Sequence, residues 1–222
     1  MAFFEKNQAV GLDLGQGAVK AVFISARGHD IEVQKAAVFD CRAEGVLDEQ
    51  ELCTNLGPWL DNCGITPKRT VANIPQYLAS TQTTTFPPGS EKNLDEMVGY
   101  ETRNLAGLSE EAFTFDYAQL PPTSDGSNQV VIGICRESVI EERAEMIKDA
   151  QIPVVDLAIG GIALANAYFH LCPDAASREL PELVLDVGCE NATLAVVVGP
   201  RLLFPSSLMF GTERYIAGLA KL

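Results

Sequence analysis

One short pattern, a buried strand that ends in an aspartate, an apolar residue and a glycine, occurs twice in this chain. The first copy, VGLDLG, covers residues 10–15, and the second, LVLDVG, covers residues 183–188. In both copies the glycine opens a tight turn that leads into another apolar strand, which is the pattern of an antiparallel hairpin. One such turn is common and says little, but two copies predict two similar halves whose hairpins face each other.

The two turns have the chemistry of an anion-binding site. Gly15 and Gly17 allow several backbone N–H groups to point to one side, and such a nest holds a phosphate without a cationic side chain. Asp13 and Asp186 would face each other across a cleft, where carboxylates hold Mg²⁺ through its water shell. Lys20 follows the first turn and would reach a phosphate as a point charge.

Charge and composition restrict the partners and the compartment. The chain has 222 residues and a net charge of −14, so binding to nucleic acid or to anionic lipid is disfavoured. No apolar run reaches the ~18 residues of a membrane helix, and residues 1–6 lack the features of a signal peptide, so we expect a cytoplasmic protein. The 6 cysteines contain no C-x-x-C pair and predict free thiols.

The remaining pattern predicts a mixed α/β chain. Strands are expected at 8–14, 19–24, 31–39, 183–188, 192–198 and 201–204, and helices at 48–63, from about 90 to 105, at 137–150 and at 159–171. We expect Gly57-Pro58 to kink or divide the first helix, because proline clashes with the carbonyl four residues before it. In the third helix, Ile140, Ala144 and Ile147 are the expected buried face.

The two turns and the chain between them resemble the motifs of a known superfamily. Residues 11–20 resemble the first phosphate loop of the actin-like ATPase superfamily, and residues 185–188 resemble its second loop. Between them, residues 68–136 follow a pattern of two strands, a helix and two strands that is similar to the SHS2-type subdomain of the PilM-like and FtsA-like branch. Residues 154–168 resemble the connection between PilM subdomains, so the resemblance covers nearly the whole chain.

The resemblance implies an α/β, actin-like (ribonuclease H-like) fold with an inserted SHS2-type α+β subdomain and a second domain that is truncated. The expected divisions are residues 1–67 for the N-terminal part of the first domain and 68–136 for the insertion. Residues 137–172 return to the first domain and form a connecting helix, and residues 173–222 start the second, incomplete domain.

The resemblance also implies a site for ATP and Mg²⁺, with weak or no ATPase activity and no catalytic residue assigned. The expected binding residues are Asp13, Gly15, Gln16, Gly17, Lys20, Asp186, Gly188, Asn191 and Thr193, with Asp13 and Asp186 holding the metal through water. Relatives carry small and hydroxyl residues where this chain has Cys189 and Glu190, which weakens the second loop.

In function, the resemblance implies a cytosolic component of a type IV pilus inner-membrane assembly platform. Such proteins dock the N-terminal cytosolic tail of a PilN-like membrane protein in a groove beside the SHS2-type subdomain, and the partner recruits them to the membrane with other platform components. Two alternatives stay open. One is a nucleotide-independent adaptor of a type II secretion-like platform, and the other is a small-molecule kinase of the same superfamily.

Overall fold

The computed structural model describes residues 8–28, 30–46, 48–66, 68–106 and 111–220; residues 1–6, on which the expectation about a signal peptide rests, lie outside this part. The strands are β1 (Gln8–Leu14), β2 (Ala18–Arg27), β3 (Asp30–Asp40), β4 (Thr70–Ile74), β5 (Ala79–Phe86), β6 (Phe113–Gln119), β7 (Asn128–Arg136), β8 (Val154–Ile159), β9 (Glu182–Val187), β10 (Ala192–Val198) and β11 (Arg201–Leu208). The α-helices are α1 (Glu49–Asn62), α2 (Leu94–Ala106), α3 (Glu137–Asp149), α4 (Gly160–Leu171) and α5 (Thr212–Leu219). These elements confirm the expected mixed α/β chain.

The first sheet has the strand order β3-β2-β1-β4-β8. β1, β2 and β3 form the predicted antiparallel meander, whereas β4 and β8 run parallel to β1. One face of β1 and β2 is apolar, and α1 and α3 cover it to form a core that includes Leu12, Val19, Leu56 and Ile147. Because side chains alternate along a strand, the paired residues Asp13 and Lys20 lie on the opposite face of the hairpin, as does the exposed Val22.

Helix α1 is continuous through Pro58, so the expected division into two short helices is wrong. The helix begins at Asp48, whose side chain accepts a hydrogen bond from the Glu51 N–H at 2.8 Å. Leu56 and Leu60 are both fully buried against the first sheet. Burial of these side chains stabilises the helix enough to offset the loss of the backbone hydrogen bond that Pro58 cannot donate.

The buried face of α3 also differs from the expected one. Val139, Met146 and Ile147 are buried, whereas Ala144 is exposed and Ile140 is half-buried. The helix packs on two different surfaces: its first turn contacts the inserted sheet at β7, and its last turns lie against α1 under the first sheet. A single helical stripe could not predict a change of partner along the helix.

The inserted unit is a three-stranded antiparallel sheet of order β5-β7-β6 with α2 on one face. Its core joins Phe86, Leu94, Val98, Val130 and Ile132. Strand β4, which the expected division assigns to the insertion, instead pairs with β1 and β8 in the first sheet. We therefore propose that the insertion comprises residues 75–136 and that residues 68–74 belong to the first domain. The divisions at 137–172 and 173–222 stay predictions.

A third sheet, of order β11-β10-β9, holds the second copy of the repeated pattern. Helix α4 packs on its inner face, where Ala165, Ala195 and Val197 form a core with Leu202. Val131 of the inserted sheet belongs to the same core, so the insertion touches the third sheet as well as the first. The third strand of this sheet is longer than expected and continues to Leu208.

All three sheets meet at Gln76, a polar residue that is only 4% exposed. Its Oε1 accepts a hydrogen bond from the Gly161 N–H at 3.1 Å, which joins the chain after β4 to the first turn of α4. Its Nε2 donates to the Thr81 hydroxyl at 3.3 Å, at the start of the inserted sheet. A Cβ added to Gly161 would lie 2.4 Å from Gln76 Oε1 and 2.5 Å from Pro205 Cβ on β11.

We predict that Gly161→Ala destabilises the protein by about 2 kcal/mol, because the new methyl group has no space at this junction. Urea unfolding followed by circular dichroism measures the change. Gly218→Ala in α5 is the matched control, since a Cβ there meets nothing within 4 Å and alanine favours helix. Equal effects of the two substitutions would contradict this role for the junction.

Candidate functional site

The two repeated turns face each other, and they lie in direct contact where the sequence analysis expects a cleft. Residues 15–17 connect β1 to β2, and residues 188–191 connect β9 to β10. Asn191 Nδ2 donates to Gln16 Oε1 at 3.3 Å across the gap. A Cβ added to Gly17 would lie 2.7 Å from Cys189 Sγ. The structure therefore brings together the predicted residues of both turns.

The two turns have the same local shape. A Cβ added to Gly15 would lie 2.8 Å from the Ala18 carbonyl oxygen, and one added to Gly188 would lie 2.7 Å from the Asn191 carbonyl oxygen. In both turns the glycine therefore faces the carbonyl three residues later, at a distance that no side chain tolerates. This equivalence explains why the pattern ends in glycine twice.

Asp13 lies on the face of the first hairpin that points away from the core, and two partners hold its side chain. Lys20 Nζ lies 3.1 Å from Asp13 Oδ2, since the two residues are directly opposite in the β1–β2 pairing. Asn73 Nδ2 donates to Asp13 Oδ1 at 2.6 Å, and Asn73 Oδ1 accepts from the Leu14 N–H at 2.8 Å. Asn73 was not predicted from sequence, because only the parallel pairing of β4 with β1 places it there.

Carboxylates from both hairpins favour the protonated, positively charged form of Lys20. Partial burial lowers its pKa, but the ion pair and hydrogen bond with Asp13 and the nearby Asp186 carboxylate outweigh that effect, so the pKa lies above the usual value. The ammonium group is therefore protonated at neutral pH while its side chain stays 48% exposed. In the second hairpin, Thr193 stands opposite Asp186 where the first hairpin has lysine.

Helix α5 holds the second turn from behind. Its first N–H groups, those of Thr212 and Glu213, donate to the carbonyl oxygens of Gly188 and Cys189, both at 3.0 Å. These donors normally lack partners at a helix start, so the turn and the helix stabilise each other. Glu213 also forms an ion pair with Arg42, which follows β3. This ion pair therefore connects helix α5, which supports the second turn, to the chain that follows β3.

The donor set at the turns fits a hydrated Mg²⁺ with phosphate. Asp13 and Asp186 are oxygen donors that suit a hard cation, and Lys20 suits a phosphate oxygen. Among the described residues, no group of three or more His, Cys, Asp or Glu side chains is placed to hold a metal ion.

A second candidate site is a groove at the edge of the inserted sheet, with a volume of about 490 Å³. It lies between the start of β5, the end of α2 and the adjoining ends of β6 and β7. Its lining combines apolar and polar side chains, including Tyr77, Ser80, Gln82, Leu105, Phe113 and Ile134. At the rim, Arg136 Nη1 lies 3.2 Å from Glu111 Oε2. Such a mixture suits a short peptide segment with apolar anchors.

The sheet order, the two facing hairpins and the connecting helix define an actin-like fold, which confirms the expected fold class. The family model of the type IV pilus assembly protein PilM matches residues 11–221. The chain belongs to this PilM family. Among the described residues, no helix is long and apolar enough to cross a membrane.

Solved structures agree on the fold. The chain is similar to a protein in a PilM-PilN type IV pilus biogenesis complex, with a TM-score of 0.77 and 21% identity, over 96% of this chain and 65% of that one. It thus spans about two thirds of that chain's length. The cytoplasmic domain of EpsL, an inner-membrane component of the Vibrio cholerae type II secretion system, matches with a TM-score of 0.52 and 11% identity, over 97% and 75% of the two chains.

A Bacteroides thetaiotaomicron protein described as having an actin-like ATPase fold matches with a TM-score of 0.48 and 14% identity. That match covers 100% of this chain and 78% of the other. Among curated proteins, none matches this chain significantly in sequence.

We predict that Asn73→Asp destabilises the protein by roughly 2 kcal/mol at pH 7, since it places a second carboxylate against Asp13. The crowded pair raises a carboxyl pKa in the folded state, so the penalty is largest above that pKa and disappears as pH falls toward the unfolded value. Urea unfolding at pH 7 and near pH 4 measures this.

Asn73→Ala is the control for that experiment, because it also removes the hydrogen bond donated to Asp13, together with the acceptor for the Leu14 N–H, and adds no charge. The free energy of unfolding that Asn73→Ala loses relative to the unsubstituted chain is expected to be similar at both pH values. An Asn73→Asp deficit that does not shrink at low pH would show that Asp13 is not the neighbour that matters.

Proposed function

We propose that this protein is a cytoplasmic component of a type IV pilus inner-membrane platform that docks the N-terminal cytosolic tail of a PilN-like membrane protein. The observation that carries the proposal is the groove beside the inserted sheet, in a chain that belongs to the PilM family. The similar protein of the PilM-PilN complex supports the choice of partner. In this account the partner brings the protein to the membrane with the other platform components.

The groove has the size and chemistry for this role. Tyr77 is 43% exposed and Leu105 is 37% exposed, so both offer apolar surface that a partner side chain would cover. Ser80 and Gln82 on the edge strand β5 add polar groups. Because β5 lies at the edge of its sheet, an extended tail could run beside it while its side chains enter the groove.

We predict that Tyr77→Ala weakens binding of the tail peptide roughly tenfold, as expected for a buried aromatic anchor. Fluorescence polarisation with a labelled peptide of the PilN-like tail from the same organism measures the change. Tyr100→Ala is the matched control, since Tyr100 lies on α2, is 64% exposed and does not line the groove. If both variants bind like the unsubstituted chain, the groove is not the docking site.

We further propose that Mg²⁺-ATP binds between the two turns, with weak or no turnover. Backbone groups of Gly15, Gln16 and Gly17 would contact phosphate, together with the side chains of Lys20, Asn191 and Thr193. Gly188, whose backbone groups bond to Asn191 and Thr212, would shape the second turn. Asp13 and Asp186 would hold the hydrated metal. The support is the shared charge system of the two hairpins, in which both carboxylates act on one exposed ammonium group.

We predict that Asp13→Asn raises the Kd for Mg²⁺-ATP at least about tenfold, because it removes one carboxylate while keeping the acceptor for Asn73. Isothermal titration calorimetry measures the Kd, and Asp61→Asn on the exposed end of α1 is the control. Identical binding by both variants would rule out this metal position.

A nucleotide-independent adaptor is the second candidate. Cys189 and Asn191 already contact the first turn, and Arg42 pairs with Glu213, so the hairpins hold together with protein contacts alone. Tight binding of the tail peptide by a chain that shows no heat of Mg²⁺-ATP binding would favour the adaptor. Tail binding that strengthens with Mg²⁺-ATP would favour the nucleotide-binding form.

A further inference from the structure

Two cysteines from different parts of the chain approach Gly17. Cys41 directly follows β3, and its N–H donates to the Gly17 carbonyl oxygen at 3.2 Å. This bond continues the β2–β3 pairing, in which Ala18 is opposite Asp40. Residues opposite each other in an antiparallel pair have Cβ positions about 4.5–5.5 Å apart on the same face. The Cβ of Cys41 therefore lies beside the space above Gly17.

That space is filled by the other cysteine. A Cβ added to Gly17 would lie 2.7 Å from Cys189 Sγ and 2.8 Å from Cys189 Cβ. Cys189 thus takes the place that a side chain of residue 17 would have next to Cys41. Because glycine has no side chain, nothing from residue 17 separates the two cysteines.

The pKa of the Cys41 thiol agrees with a position close to Cys189. Burial raises the pKa of the Cys41 thiol, Asp40 raises it further, and a thiolate at Cys189 adds to the rise. Cys41 is 6% exposed, whereas Cys189 is half-buried at the junction of the two turns. An oxidant from solution therefore reaches Cys189 first, and Cys41 is the resolving thiol that reacts with the oxidised Cys189.

We propose that Cys41 and Cys189 form a reversible disulfide under oxidising conditions, which covalently joins the first hairpin to the second. Both are free thiols in the structure. The bond would reinforce the contacts Gln16–Asn191 and Arg42–Glu213 on the same side of the molecule. Its effect is to prevent the two turns from separating.

The chemistry balances with hydrogen peroxide as the two-electron oxidant. The Cys189 thiolate attacks one peroxide oxygen, the O–O bond breaks, and after protonation the products are a sulfenic acid and one water. The Cys41 sulfur then attacks the sulfenic sulfur, the S–O bond breaks, and the thiol proton leaves with the oxygen as a second water. Two thiols are oxidised to one disulfide, and a dithiol reductant reverses the reaction.

Two of the other cysteines have partners within their own surroundings. The Cys53 thiol donates to the Met146 carbonyl oxygen at 3.2 Å, where α1 packs on α3. The Cys135 thiol lies 3.6 Å from the Leu78 carbonyl oxygen in the inserted unit. These contacts do not join the two hairpins, so they would not produce the same lock.

Peptide mapping after oxidation tests the proposal directly. Trypsin releases each cysteine in a separate peptide, residues 36–42 for Cys41 and residues 179–201 for Cys189. After treatment of the full chain with hydrogen peroxide and blocking of free thiols, we expect these two peptides as one linked species. Dithiothreitol should separate them, and free-thiol titration should show a loss of two thiols per chain.

Variants establish that the link is specific and holds the hairpins together. Cys41→Ser and Cys189→Ser should abolish the linked species, whereas Cys172→Ser should retain it. Oxidation should raise the Tm of the unsubstituted chain and of Cys172→Ser, but not of the other two variants. Oxidation of Cys189 without linkage to peptide 36–42, or linkage to a different cysteine, would overturn the proposal. Both outcomes are read from the unsubstituted chain, so they do not depend on whether the variants fold.

Discussion

The junction between the first sheet, helix α4 and the inserted sheet depends on the buried amide of Gln76. Its side chain accepts from Gly161 and donates to Thr81, so it connects the end of β4, the start of α4 and the inserted sheet. Pro205 on β11 closes the same junction. A buried polar group is costly unless it is hydrogen-bonded, and the bonds of Gln76 join the chain after β4 to helix α4 and to strand β5. The groove begins at the next residue, Tyr77.

The two facing turns are alike in shape but different in charge. Gly15 and Gly188 are required by the same close contact with a carbonyl three residues later. The first hairpin then sets Lys20 opposite its aspartate, whereas the second sets Thr193 opposite Asp186. A single ammonium group therefore lies under the influence of two carboxylates. A phosphate bound as proposed between the two hairpins would therefore meet its positively charged partner, Lys20, on the first hairpin.

Local pattern predicted the parts of this fold that neighbouring residues determine. The hairpins at β1–β2 and β9–β10 follow from apolar alternation and glycine turns, and the repeat itself predicts that they face each other. Their direct contact in place of a cleft was not predicted. The pairing of β4 with β1 was missed, because a short apolar strand carries no signal for its parallel partner. Asn73 was missed for the same reason. The contact of Cys189 with Gly17 joins residues far apart in sequence, and no spacing rule reaches that far.

The central claim is that the groove beside the inserted sheet is where a PilN-like tail docks. Hydrogen–deuterium exchange of the full chain, with and without the tail peptide, tests it most directly. We expect slower exchange for amides at residues 78–82 and 134–136, which border the groove, and unchanged exchange in β9 and β10. Protection confined to the third sheet, with none around the groove, would contradict it.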